Sequence, residues 1–183
     1  MDAVVIPYAN RARLNKLCYL FMIFLAGCLT GWFYEEIFYW FTEGLLRNRG
    51  VLYGPWLPIY GVGALAIYAM KPLKKHPPVL FFLCMATSGA IEYFAGRVCI
   101  ACFGLRLWDY RELFWNLDGP VCLRSVLVFG VLGLLFHYWI EPAIETFYAK
   151  AEDATIWMTC LSLADLFLLD CVLSLLFRTP VTY

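Results

Sequence analysis

The chain has 183 residues, of which 63% are hydrophobic and only 15% are charged. Soluble domains carry roughly 45–50% apolar and about 25% charged residues, and small ones leave much of their surface in water. This composition therefore excludes a soluble fold and a disordered chain, and it predicts a single all-α, polytopic membrane domain over residues 1–183. Fourteen basic residues balance fourteen acidic ones, so the chain lacks the basic surface that nucleic acid needs.

Five segments are long and apolar enough for a transmembrane helix, which needs about 20 residues. In chain order they are residues 17–41, 55–73, 79–101, 121–140 and 155–177. Residues 105–117 are rich in aromatic and charged side chains and are expected at the membrane interface. Glu141 and Pro142 are expected to begin a loop over residues 141–154.

Five spans place the N-terminus and the loops at 74–78 and 141–154 on one side of the membrane. Basic residues are divided equally between the two sides, so their number does not decide the orientation. Because the first helix usually dominates, we expect a cytoplasmic N-terminus and a location in the cell membrane. The first apolar run lacks a signal-peptide cleavage pattern and is expected to stay in the mature protein.

The first and third spans share a sequence pattern. Thr30 and Glu35 have the same spacing as Thr87 and Glu92, and each span is followed by a polar loop that ends in Gly-Pro. The pattern predicts two parallel helix–loop–helix repeats, at about 17–73 and 79–140, with an extra helix at about 155–177. Parallel repeats are common in transporters, whose sites lie near the repeat interface. The alternative is a chance similarity between apolar segments.

Small residues accompany two intramembrane carboxylates. Glu35 follows two glycines at intervals of four residues, and Glu92 lies between Ser88 and Gly96 at the same interval. Small residues let helices approach closely in lipid, so each pattern places a glutamate between helices. An intramembrane charge costs about 2.5–3.5 kcal/mol on insertion scales, and such groups therefore need partners or a polar cavity. The other acidic residues of this kind are Glu36, Asp165 and Asp170.

The candidate binding residues are polar or charged and are expected in the half of the bilayer away from the N-terminus. They are Glu35, Asn48, Arg49, Glu92, Arg97, Asp109, Asn116 and Arg124. Glu35 and Glu92 are expected to carry protons or cations. Arg49 and Arg124 are expected to anchor an anion, such as a phosphate, a carboxylate or a lipid headgroup, beside the first turn of a helix. The alternative is a set of structural ion pairs that fix helix register.

The sequence NRGVLYGPWLPIYGVGAL, preceded by GWFYEE, resembles the CmpB-type family described as "putative ABC-transporter type IV", which is related to vertebrate transmembrane protein 229. The second half, from Gly89 to Gly130, resembles it as well, so that the resemblance covers roughly residues 17–140. It implies a multi-pass membrane protein with a transporter assignment. The residues that match the family motifs are Glu35, Asn48, Arg49, Gly50, Gly54, Pro55, Pro58, Tyr60, Gly61, Glu92, Trp108, Asp109, Tyr110, Asn116 and Gly119.

Several other motifs have simpler explanations. No Walker A lysine motif is present, so ATP hydrolysis would need a separate subunit. His76 and His137 are expected to be solvated or interfacial, and no metal, cofactor or catalytic residue is expected. Cys99 and Cys102 form a CxxC at a membrane edge, which is typical of thiol chemistry when the thiolate is accessible.

The sequence thus favours a transporter or permease component in the lipid bilayer. It would bind a small polar or lipid-like solute in an Arg/Glu-lined pocket, together with a separate ATPase or another membrane subunit. The alternatives are a membrane enzyme, either lipid-modifying or a thiol–quinone oxidoreductase, and a partner-binding membrane subunit.

Overall fold

The computed structural model describes residues 8–46, 48 and 50–179, with side chains from residue 15 onward. The helices are α1 (Tyr8–Glu43), α2 (Pro58–Tyr68), α3 (Pro77–Phe103), α4 (Leu123–Leu135), α5 (Glu141–Lys150) and α6 (Asp153–Phe177). Between α3 and α4, the two-residue strands β1 (Asn116–Leu117) and β2 (Val121–Cys122) pair in antiparallel fashion. The predicted all-α membrane helix bundle is confirmed.

Four of the helices in the described part of the chain are long and apolar enough to cross a membrane. They are α1 from Asn15, α3, the continuous helix Leu123–Lys150, and α6. The second predicted span is shorter than expected, because α2 has only 11 residues. Such a helix rises about 16 Å, roughly half the thickness of the hydrocarbon core.

Irregular chain with bends replaces helix at residues 55–57, the first part of that span. The segment before α2 buries Leu52 and Leu57, and the Leu57 N–H donates to the Cys28 carbonyl of α1 over 3.3 Å. Non-helical backbone is tolerated at membrane depth where protein covers it. Residues 55–73 are therefore apolar for two reasons: some lie in a short helix, and others are buried against neighbouring helices of the bundle.

The predicted loop at 141–154 is wrong, because α5 occupies most of it. A π-helical turn, Phe136–Ile140, joins α4 to α5, and Pro142 lies in the first turn of α5. A proline within a helix lacks the N–H that would donate to the preceding turn, and the π turn accommodates this local change in the hydrogen-bond ladder. The result is one 28-residue helix, Leu123–Lys150.

Close packing joins α1 to α2 and α3 to α4, and α6 lies against α1. A Cβ added at Gly27 of α1 would lie 2.5 Å from the Cβ of Ala64 on α2, so this approach requires glycine. The buried core joins four elements and lies toward the N-terminal side of the membrane. It consists of Ile23, Ala64, Ile67, Leu80, Cys84 and Phe136.

Candidate functional site

A cavity of about 190 Å³ lies among α1, α2, α3 and α4, and residues of the two loops that follow α1 and α3 also line it. We call it the glutamate cavity, because the carboxylates of Glu35 on α1 and Glu92 on α3 both line it. Its wall also contains hydroxyl and aromatic groups, from Tyr39, Tyr60, Trp108, Tyr110 and Phe129. The structure therefore brings the two predicted glutamates of the sequence pattern into one hollow.

Glu35 is held by the first turn of α2. The Tyr60 hydroxyl donates a hydrogen bond of 3.1 Å to Glu35 Oε1. The Tyr60 ring lies directly over Gly31 of α1, and a side chain at Gly31 would overlap it. The glycine pattern before Glu35 thus makes room for the aromatic ring that binds Glu35.

Glu92 is 5% exposed and accepts hydrogen bonds on both carboxylate oxygens. Tyr110 donates to Oε1 over 3.1 Å, and Ser125 donates to Oε2 over 2.8 Å. Burial raises the pKa of the Tyr110 hydroxyl far above its ordinary value, so this group stays protonated and acts as a donor. Sequence reasoning missed Ser125, and Tyr110 entered only through the family resemblance.

The two hydroxyl donors, Tyr60 on α2 and Ser125 on α4, occupy corresponding positions in the two predicted repeats. Tyr60 lies six residues after Gly54, and Ser125 lies six residues after Gly119. Each donates to the glutamate of the preceding long helix. This correspondence of spacing was the signal in the sequence that could have identified Ser125.

No basic residue of the described chain lines the glutamate cavity. Arg97 is exposed and makes no hydrogen bond or ion pair with a described residue, because five residues after Glu92 correspond to a rotation of about 140° around the helix. Arg124 lies over the Phe38 ring, 4.8 Å from its centre, and lines a wider outer cleft. Arg49 lies outside the described residues.

Asp109 and Asn116 shape the loop between α3 and α4. Arg111 donates to Asp109 Oδ2 through Nη2 at 2.6 Å and Nε at 2.8 Å, and these bonds lower the pKa of Asp109 below its ordinary value. The Asn116 amide donates to the carbonyls of Arg111 and Leu113. Both residues lie outside the wall of the glutamate cavity and order the loop that covers it.

Asn48 has a similar role in the loop between α1 and α2. Its Oδ1 accepts a 3.1 Å hydrogen bond from Trp32 Nε1, and its amide donates to the Tyr53 carbonyl. Arg178, just after α6, donates to the Asn48 carbonyl over 2.7 Å. Asn48 therefore ties the loop to both α1 and the end of α6.

Asp170 of α6 accepts hydrogen bonds from the backbone of the loop between α1 and α2. Its carboxylate accepts the backbone N–H groups of Tyr53, at 3.1 Å, and Gly54, at 2.9 Å, and the hydroxyl of Ser174. These contacts give Asp170 the hydrogen-bond partners that an intramembrane carboxylate needs. The anion site predicted at Arg49, near this loop, stays a prediction, because Arg49 lies outside the described residues.

A charge cluster with two buried members, Glu141 and His137, lies at the opposite end of the bundle. Glu141 is fully buried; its Oε2 lies 2.8 Å from His137 Nδ1 and its Oε1 lies 2.9 Å from Lys71 Nζ. Lys74 Nζ lies 3.4 Å from the same carboxylate, and His137 Nε2 lies 2.8 Å from the Ile67 carbonyl. The prediction that His137 is solvated or interfacial is wrong. His137 and Glu141 lie four residues apart on the continuous helix Leu123–Lys150, so their side chains share one face, and this face is buried.

A smaller cavity of about 50 Å³ lies between these two regions. Glu92 and Tyr60 line it on the side of the glutamate cavity, and Ile67 and Phe136 line it on the side of His137. The smaller cavity thus shares Tyr60 and Glu92 with the glutamate cavity.

The two cysteines of the CxxC motif lie at different places on α3. Cys99 lines the glutamate cavity, whereas Cys102 is exposed. Both are free thiols.

A family model described as "Putative ABC-transporter type IV" matches residues 22–175, from the first long helix to the end of α6. Comparison with curated proteins and with solved structures gave no significant match. Together with the four apolar helices, the family match supports an integral membrane protein with a transporter-like role in a lipid bilayer. The chain belongs to the CmpB-type family, whose model carries the description "Putative ABC-transporter type IV".

Proposed function

We propose that the glutamate cavity binds the cationic group of a small polar solute, and that the chain is the membrane component of a transporter for that solute. The observation that carries the proposal is that Glu35 and Glu92, from two different helices, line one cavity. Two carboxylates in a region of low dielectric repel each other, and a bound cation relieves that repulsion.

The remaining wall suits an ammonium group. Tyr39, Trp108 and Phe129 offer aromatic faces, and such faces attract ammonium ions by about 0.5–2 kcal/mol each. Tyr60 and Tyr110 donate to the carboxylates and so hold them in place. In this proposal aromatic rings join the two glutamates in the lining, while Arg49 lies outside the described residues.

The size of the cavity limits the solute. A cavity of about 150 Å³ holds benzene, so the glutamate cavity, at about 190 Å³, suits a solute of similar or slightly larger size. A small alkylammonium ion meets the requirements of both charge and volume.

The path and the energy source are also part of the proposal. The cavity lies on the side away from the N-terminus, so a cytoplasmic N-terminus in the cell membrane would make it face outward. The matching contacts of Tyr60 and Ser125 support an origin of the two helix pairs by duplication, with the solute between the repeats. An ATPase subunit would supply energy, in keeping with the family.

The proposal is tested by ligand binding to the purified full-length chain in lipid nanodiscs. Tetramethylammonium is titrated while tryptophan fluorescence is followed, because Trp108 lines the cavity. We expect saturable binding that Glu35→Gln or Glu92→Gln weakens at least tenfold. Glu152→Gln, which removes the same charge from an exposed position before α6, should leave binding unchanged.

Sodium acetate serves as the anionic probe in the same assay. Saturable acetate binding that is lost in Arg49→Ala, without tetramethylammonium binding, would overturn the proposal in favour of an anion site. Tetramethylammonium binding that is unchanged in both glutamate variants would place the ligand elsewhere and would equally overturn it.

A further inference from the structure

Helix α6 has one packed face. Ile156, Cys160 and Ser174 are buried on it, and the Phe167 ring meets the Phe24 ring of α1 edge to face, with 5.6 Å between centroids. Ser174 also accepts the N–H of Tyr53 from the loop before α2. These contacts fix the rotation of α6 about its axis.

Asp165 lies on the opposite face, at the middle of the helix. It is twelve residues from either end of α6, which corresponds to about 18 Å. Its side chain is exposed and has no hydrogen bond or ion pair with any residue that the structure describes. A carboxylate that faces lipid at this depth is strongly unfavourable, so Asp165 indicates a contact with another membrane helix that supplies a donor.

The residues around Asp165 form a regular seam. Along the exposed face, successive positions are separated by four, three, four, three and four residues, which is the spacing of a left-handed helix pair. The members are Met158, Ser162, Asp165, Leu169, Val172 and Leu176, and all of them are exposed. A single strongly polar residue in such a seam fixes register and the number of helices.

We propose that this seam binds a second copy of the chain, with the two α6 helices parallel and related by a two-fold axis along the membrane normal. Both copies insert in the same orientation, so Asp165 of each copy lies at the same depth as Asp165 of the other. A shared proton lets two adjacent carboxyl groups hydrogen-bond to each other. The hydroxyl of Ser162, one turn away on the same face, supplies a further donor.

The seam is complementary to itself, which favours a second copy over a different protein. It contains a donor in Ser162 and an acceptor in Asp165, and the apolar residues on either side extend along the rest of the helix. A different partner would have to match both the depth of the carboxylate and the spacing of the seam.

The test measures self-association of the full-length chain in lipid vesicles. Donor- and acceptor-labelled copies are mixed, and energy transfer is recorded as the ratio of protein to lipid is lowered. We expect transfer that fits a dimer, an association constant at least tenfold lower for Asp165→Leu, and a value within about threefold of the original for Asp165→Asn, which can still hydrogen-bond.

A second pair of variants tests the proposed interface without changing the carboxyl group of Asp165. Val172→Trp places a bulky ring in the seam and should weaken the dimer, whereas Val98→Trp, at an exposed position of α3, should not. A chain that is monomeric at every density, or an Asp165→Leu variant that dimerises normally, would overturn the proposal. Binding of a synthetic apolar helix with one central lysine to a monomeric chain would point to a basic partner instead, and would overturn it too.

Discussion

Ser125 donates a 2.8 Å hydrogen bond to Glu92, and the two residues lie on neighbouring helices that pack side by side. Ser125 also belongs to a reciprocal cap at the start of α4, since its hydroxyl accepts from the Cys122 N–H over 3.2 Å. The serine therefore links the start of a helix to the carboxylate of the glutamate cavity.

Ser125→Ala should lower the free energy of unfolding by about 1–3 kcal/mol, because a buried carboxylate loses a donor and a helix loses part of its cap. The check is the midpoint of thermal unfolding in detergent micelles. Thr146→Ala serves as the control, since Thr146 makes only a local contact with the Pro142 carbonyl on α5. Equal midpoints for Ser125→Ala and the control would show that the serine contact contributes nothing.

Gly31→Ala should disturb the other glutamate, because the new methyl group would overlap the Tyr60 ring that donates to Glu35. We expect a loss of stability of about 1–3 kcal/mol, as for other overpacked interiors. Gly63→Ala is the matched control: no atom lies within 4 Å of the methyl position there. Alanine favours helix over glycine by up to about 1 kcal/mol, so this control should be neutral or stabilising. A larger loss of stability for Gly63→Ala than for Gly31→Ala would contradict the packing around Tyr60.

The meeting of Glu35 and Glu92 could be predicted from the sequence, because small residues at intervals of four determine which helix face enters a seam. Arg97 shows the limit of the same reasoning. Closeness to Glu92 along the chain suggested a partner, but five residues turn a helix by about 140° and direct the two side chains apart. The rotation was available from the spacing alone.

Two features of the fold could not be read from apolar patterns. Residues 55–70 are predominantly apolar, yet irregular chain replaces helix before Pro58, where Leu57 is buried. Pro142 is an ordinary signal for the end of a helix, but the π turn before it lets the helix continue. Both outcomes depend on tertiary surroundings, which override local preference.

Asp170→Ala should loosen the loop before α2, because the N–H groups of Tyr53 and Gly54 lose their acceptor. We expect amide hydrogen exchange at these two positions to accelerate at least tenfold, while exchange in α1 stays the same. Asp165→Asn is the control, since Asp165 lies on the other face of α6 and makes no described contact with the loop. Unchanged exchange in Asp170→Ala would mean that other contacts, such as that of Ser174, hold the loop by themselves.

Glu141→Ala should be the most damaging of these substitutions. It would leave the fully buried His137 without the carboxylate 2.8 Å from its Nδ1, and removal of one partner of a buried pair costs about 3–5 kcal/mol. Glu145 is the matched control, because it also pairs with Lys71 but its side chain is 43% exposed. An exposed pair contributes about 0–1 kcal/mol, so Glu145→Ala should have little effect. The check is the midpoint of chemical unfolding in mixed micelles. Similar midpoints for the two variants would mean that water reaches Glu141 and that its contacts do not stabilise the packing of α5 against the end of α2.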